Sequence, residues 1–400
     1  MGHLDEFGQM EDSPEIMALP HPQRTDACLG EGGIDRASWD IVGITEEMES
    51  FLRPGQSMPT EHVLNRVEKL RAMMHHIESG GLPQGQMNSL VIGIWRGRLR
   101  LHGDPVFEVT PALQQMLEQT DIGDELPVSY FTPPYPVAYI RYAPDNPYQV
   151  YNAESQWHTV EGAYIAVFDV PAQDRLLQNE QRNRMLGLSA DKPARVVEVT
   201  FMGVPKSNSL DDASRDLVFT IQDDQQCLRA LLERHFDYFE QGDFFGRERL
   251  STQQRENIYN CMGALAKILL YMNLPQMRQR SIQARSELLR QAAQKKNPKK
   301  RKRLERQARQ HYDRIQIGPT SLAPDIPPDP SVSESQDSEG TATGRSVRPH
   351  WRRGHFRRVR HGPQRSEVSI RWIEPTLVKA SQLGEQNPQT PSKKSPYIVR

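Results

Sequence analysis

Apolar positions recur at helical spacing over residues 60–77. Val63, Leu64, Val67, Leu70, Met74 and Ile77 fall on one face, Thr60 stands as the expected N-cap, and Gly80, Gly81 and Pro83 end the run. The same period in Leu228, Leu231, Leu232, His235 and Phe239, and again in Ile258, Met262, Leu265, Leu269 and Met272, predicts two further helices. Asp223 with Gln226 is the expected cap of the first and Ser251 with Gln254 of the second, which Asn273 and Pro275 should stop. A short helix is expected from Thr110 and Pro111 through Met116 and Leu117. Strand patterns occupy residues 162–170, 195–202 and 217–221, the last two joined as an antiparallel pair by the loop 205–215. Residues 126–142 predict a strand, a Pro-rich turn and a second strand, whose tyrosines suit a packed sheet better than a peptide groove. Residues 88–101 fit either a buried helix end or a strand. The fold class is therefore α+β: a mainly antiparallel sheet with helices packed against it.

Outside that body the pattern fails. Residues 1–58 hold only short apolar pieces, such as Trp39 to Val42, among Pro, Gly and acids, and are expected to be an irregular N-terminal extension. The body spans 59–275. A basic arm of one or two helices broken at Asn297 and Pro298 follows over 276–314. Residues 315–346 read as a disordered linker and 379–400 as a flexible tail.

Charge sharpens this division. The 400 residues carry a net charge of −1, but residues 1–279 hold 24 basic against 40 acidic side chains. Residues 280–314 hold 13 basic against 3 acidic, and residues 345–372 add a net +8. An acidic body with a basic C-terminal third points to nucleic acid as a partner. Lys299, Lys300, Arg301, Lys302 and Arg303 form a dense run suited to phosphate, although such a run is also what a solvated arm contains.

Residues 347–378 interleave Arg348, Arg352, Arg353, Arg357 and Arg358 with Trp351, Phe356 and Trp372, and include His355. Guanidinium forks pair with phosphate and stack on planar groups, so this mixture suits RNA. Val368, Ile370 and Trp372 alternate with Ser369, Arg371 and Ile373, which with Gly362 and Pro363 predicts a β-hairpin. Thirty-two residues are too few for a core of their own, so the module must dock on something. Trp372 fits either an RNA-stacking role or that docking role.

Enzyme and metal signatures are missing. There is no Walker loop, dinucleotide-binding glycine pattern, HExxH or nucleophile elbow, and Cys28, Cys227 and Cys261 form neither a disulfide framework nor a metal knuckle. No cofactor and no metal are expected. His350, His355 and His361 beside arginines admit ribonuclease chemistry, yet no carboxylate or positioned partner accompanies them. No apolar run approaches the roughly 18 residues of a membrane span.

The run Arg348-Pro349-His350-Trp351-Arg352-Arg353-Gly354-His355-Phe356, followed by Ile370-Arg371-Trp372, Pro375 and Val378, resembles the C-terminal signature of a type V-A anti-CRISPR family carried by phages and plasmids. Weaker echoes extend the resemblance over residues 82–378. That family lowers the level of the CRISPR nuclease by destroying its messenger rather than by blocking the finished enzyme. The resemblance implies a non-enzymatic protein of the bacterial cytoplasm that recognises a nascent polypeptide, the N-terminus of the nuclease, at the ribosome. It triggers mRNA decay with host nucleases, and no membrane is involved. The body would hold the peptide, while the arginine-rich module and the basic run hold messenger or ribosomal RNA. The N-terminal extension and the enlarged basic segment 276–346 depart from the family pattern. An intrinsic ribonuclease and a generic phage or plasmid nucleic-acid-binding protein are the competing readings.

Overall fold

The computed structural model describes residues 14–28, 36–68, 70–71, 84–122, 127–152, 155–206, 213–241, 250–322 and 350–378. The chain divides into two compact units, residues 1–115 with 122–321 and residues 116–121 with 322–400.

The first unit is built on an eight-stranded sheet. Its strands are β1 (Val106–Val109), β3 (Val137–Arg141), β4 (Gln149–Asn152), β5 (Gln156–Val170), β6 (Ala194–Gly203), β7 (Ser214–Ile221), β8 (Gln279–Gln283) and β9 (Asp313–Ile317); β2 (Thr120–Asp121) belongs to the second unit. The order is β7-β6-β5-β3-β1-β9-β8, with β4 also paired to β5. Every pairing is antiparallel except those of β1 with β3 and with β9. Both faces are covered, which is why β5 reads as a near-continuous apolar run rather than an alternation. On one face Trp95 and Leu99 of helix Gln84–Leu101 pack against Val137, Tyr139, Tyr164, Phe168, Val196 and Met202. On the other, Phe201 lines a small pocket with Ile258 and Cys261 of helix Thr252–Met272.

The expected strands at 162–170, 195–202 and 217–221 are present as parts of β5, β6 and β7, with Arg195 opposite Ile221. The Ser251 capping box forms in both directions, and Asn273 closes the same helix. Residues 88–101 are helix. Thr110 Oγ1 accepts the Leu113 N–H at 3.1 Å, so helix Pro111–Glu118 starts where Pro at its first position predicts.

Several expectations fail for local physical reasons. Residues 14–28 and 36–58 are not irregular: helices Pro14–Met17, His21–Cys28 and Arg36–Phe51 occupy most of them. Ile44, Met48 and Leu52 lie four residues apart and bury against Ile94 and Leu101, and a Cβ on Gly93 would stand 3.2 Å from Ile44. Helix His21–Cys28 carries little apolar surface and is held by polar contacts: Arg24 pairs with Glu161 at 2.8 Å and the His21 ring with the Tyr164 hydroxyl at 2.7 Å, all buried.

Thr60 is not a cap. It begins helix Thr60–Arg66, and its N–H and hydroxyl both donate to Glu198. That helix turns extended at Val67, and Met74 and Ile77 lie outside the described residues. Helix Leu228–Gln241 starts at Cys227 rather than Asp223, whose carboxylate is taken by the Gln225 N–H in the preceding turn. The first predicted strand of 126–142 is a 3-10 turn, Val128–Tyr130, preceded by a single bridge from Pro127 to Cys227.

The basic segment is also not a free helical arm. Its ends are β8 and β9, paired to each other, and β9 lies beside β1. Between them stand helices Ala284–Ala293 and Pro298–Arg309, broken at Asn297 and Pro298 as expected. Ile317 is fully buried, so the proposed linker starts too early at residue 315. The rest of that linker from residue 323, and the tail 379–400, lie outside the described residues.

Candidate nucleic-acid interface

The second unit contains the predicted hairpin. Strands β11 (Gly354–His361) and β12 (Glu367–Ile373) pair antiparallel across a turn at 362–366, and β10 (His350–Arg352) pairs with β13 (Thr376–Val378). The docking that so short a module requires is provided by β2: Gly354 lies opposite Thr120 and His355 opposite Asp121, in parallel. The Gly354 N–H donates to the Gln119 carbonyl at 3.0 Å. A side chain at 354 would meet Pro375 at 2.6 Å and the Ile373 carbonyl at 2.8 Å, so the Arg-Arg-Gly-His stretch and Pro375 are one packed corner. Trp372 is 6% exposed; its indole N–H reaches Thr120 Oγ1 at 3.2 Å and its ring stacks on Phe356 at 5.9 Å. Of its two sequence roles, this burial gives Trp372 the docking one.

The register divides the arginines between two faces. Phe356 faces Trp372, Arg358 faces Ile370 and Arg360 faces Val368 on one side; His355, Arg357, Arg371 and His361 share the other. Arg357 lies directly opposite Arg371, and both are exposed. Like charges in that relation destabilise a strand pair by a few tenths of a kcal/mol to about 1 kcal/mol, and a bound phosphate would reverse the sign. Glu367 faces the His361 ring at 3.0 Å, an imidazole rather than a guanidinium.

The predicted site residues are thus placed unequally. Arg353, His355, Arg357 and Arg358 are exposed and Phe356 is half-buried. Arg348 lies outside the described residues, and Trp351 and Arg352 are described only as backbone positions of β10. Lys299, Lys300, Arg301, Lys302 and Arg303 are all exposed on helix Pro298–Arg309, in the other unit, with Arg301 paired to Glu305 at 3.5 Å. Arg371 and Arg360 were missed; the signal that finds them is the hairpin register, which was available once Gly362 was taken as the turn.

The acidic unit offers a groove of about 570 Å³ lined by Phe51, Met58, His62, Phe168, Asp169 and Asp174 among others. His62 Nε2 lies 2.8 Å from Asp174 there. Among the described residues no group of His, Cys, Asp and Glu is arranged to hold a metal ion, and no helix is long and apolar enough to cross a membrane.

The fold is α+β, and its hairpin displays exposed arginines of the kind that attract anions. The sequence model of the anti-CRISPR type V subtype A2 family, described as AcrVA2-like, matches residues 107–380, and the chain belongs to that family. The match begins at β1, so the helices before it lie outside the matched range. A crystal structure of AcrVA2 is similar at 14% identity over 86% of this chain and 96% of that one, with a TM-score of 0.49. No curated protein matches.

Proposed function

We propose that this anti-CRISPR protein lowers the amount of a type V-A CRISPR nuclease by recognising the nuclease's N-terminus as it emerges from the ribosome and sending the message for decay. The observation that carries the RNA half is the exposed Arg357–Arg371 pair on a hairpin anchored from behind by Trp372. The hairpin keeps like charges face to face, an arrangement that a phosphate between them would stabilise. For the peptide half, the groove sets the exposed Asp169 beside Phe51 and Phe168, one carboxylate and two rings that an extended basic peptide could use, with Arg66 also in its lining. The protein acts as a binder and leaves cleavage to host nucleases. Messenger or ribosomal RNA and the nascent chain are its partners.

The test is to express the protein beside a type V-A nuclease gene and measure the transcript, with a control gene whose first codons are recoded to a different peptide. Loss of the first message alone is expected. Equal loss of both defeats peptide reading, and RNA cutting by purified protein that disappears in His355→Ala would favour the ribonuclease instead.

A further inference from the structure

We infer that the solvent face of helix Pro298–Arg309 is a separate contact for the phosphate rails of double-stranded RNA. This rests on the RNA reading above but concerns a different element with different chemistry.

Leu304 is half-buried and Ala308 buried, which fixes the inward side of the helix. At about 100° per residue, Lys299, Lys302, Arg303 and Arg306 fall on the opposite side, and all four are exposed. They make no ion pair among the described residues. The three carboxylates of residues 280–314 are engaged elsewhere: Glu305 with Arg301, Glu287 with Arg290, and Asp313 with the N–H groups of Arg285 and Ser286 at 2.9 and 3.1 Å. That last contact caps the first helix from the neighbouring strand β9.

The element is also stiff. It leads into β9, the helix before it follows β8, those two strands are paired, and Asn297 caps it through the N–H groups of Lys299 and Lys300. The four cations are therefore held along about 10 Å of helix axis, seven residues at 1.5 Å each. A nucleic-acid duplex carries about one negative charge per 1.7 Å with both strands counted, so roughly three phosphates of each strand lie along that length.

The choice between duplex and single strand comes from what is missing. Residues 284–309 contain no Phe, Tyr, Trp or His. Single-strand binding draws on stacking of bases on aromatic rings, and this face has none to offer. A rigid row of point charges instead complements a rigid, dense row of phosphates and reads no sequence. Duplex RNA is the source that the proposed function supplies.

The experiment measures binding of the full chain to a blunt RNA duplex, to the same duplex as DNA and to an oligouridine, each across a range of salt. The variant is Lys299→Gln/Lys302→Gln/Arg303→Gln/Arg306→Gln; glutamine is a good helix former and all four residues are exposed. The wild type should bind duplex RNA at least as tightly as duplex DNA. In the variant, the slope of log affinity against log salt for duplex RNA should fall by roughly 0.9 per lost contact, while the oligouridine slope stays unchanged. An unchanged duplex slope, an equal loss on oligouridine, or tighter binding of duplex DNA overturns the inference. If the wild type binds oligouridine but not the duplex, this inference fails while the hairpin reading stands; if it binds no RNA, both fail.

Discussion

Single residues in this protein carry opposite kinds of charge burden. Arg98 is fully buried between the rings of Trp95 and Phe168 and pairs with Glu198 at 2.8 Å; burial pulls its pKa down against the pull of that carboxylate. Glu198 in turn receives Thr60, so Arg98→Ala would leave a buried carboxylate short of its cation. That loss should cost about 3–5 kcal/mol in a denaturation measurement. Alkali tests the same interior. Burial pushes the Cys261 thiol up to about 12, and burial, with the Glu108 carboxylate adding, pushes the Tyr312 phenol up to about 12. Groups raised in this way support the fold below their unfolded pKa and lose that support as pH rises toward the folded value. Stability should therefore fall by about 1.4 kcal/mol per pH unit for each such group, from about pH 9 for Cys261 and about pH 10 for Tyr312 up to about pH 12. In Cys261→Ala that slope should flatten by one proton; an unaltered slope would show that the thiol titrates normally.

At the scale of elements, legibility followed the distance over which each signal acts. The Ser251–Gln254 box and the hairpin turn at Gly362 are contacts between near neighbours, and the sequence alone located both. Ser251→Ala should accordingly cost about 1 kcal/mol, read by thermal unfolding. Helix His21–Cys28 was invisible because what holds it, Arg24 on Glu161 and His21 on Tyr164, lies some 140 residues away in sequence. β8 and β9 were missed because five residues with one or two isoleucines each do not announce a strand until both find partners. The hairpin shows both limits: its pairing was legible, but the split of its arginines between faces was not used. Trp372→Ala removes the stack on Phe356 and the bond to Thr120. Amide hydrogen exchange of β11 and β12 should accelerate strongly while exchange of β5 and β6 is unchanged. Equal protection in both states would mean that Trp372 is no anchor.

On the scale of the whole molecule, the basic side chains stand in two places, on helix Pro298–Arg309 within the sheet unit and on the hairpin of the second unit. Membership of the type V subtype A2 family makes this an anti-CRISPR protein. The helices before β1 are tied to the sheet by Arg24 on Glu161 and Arg98 on Glu198, and to each other by Arg96 on Asp26, so they form part of the same folded unit although the family match starts after them.

The most direct measurement is the half-life of a type V-A nuclease transcript in cells that express either the wild type or Arg357→Gln/Arg371→Gln. The double variant removes a like-charge pair from a solvent face, so it should fold at least as stably as the wild type. Rapid loss of the message with the wild type and a normal half-life with the variant is the predicted result. Loss at the same rate with both would contradict the account, because the guanidinium groups on which it turns would then be idle.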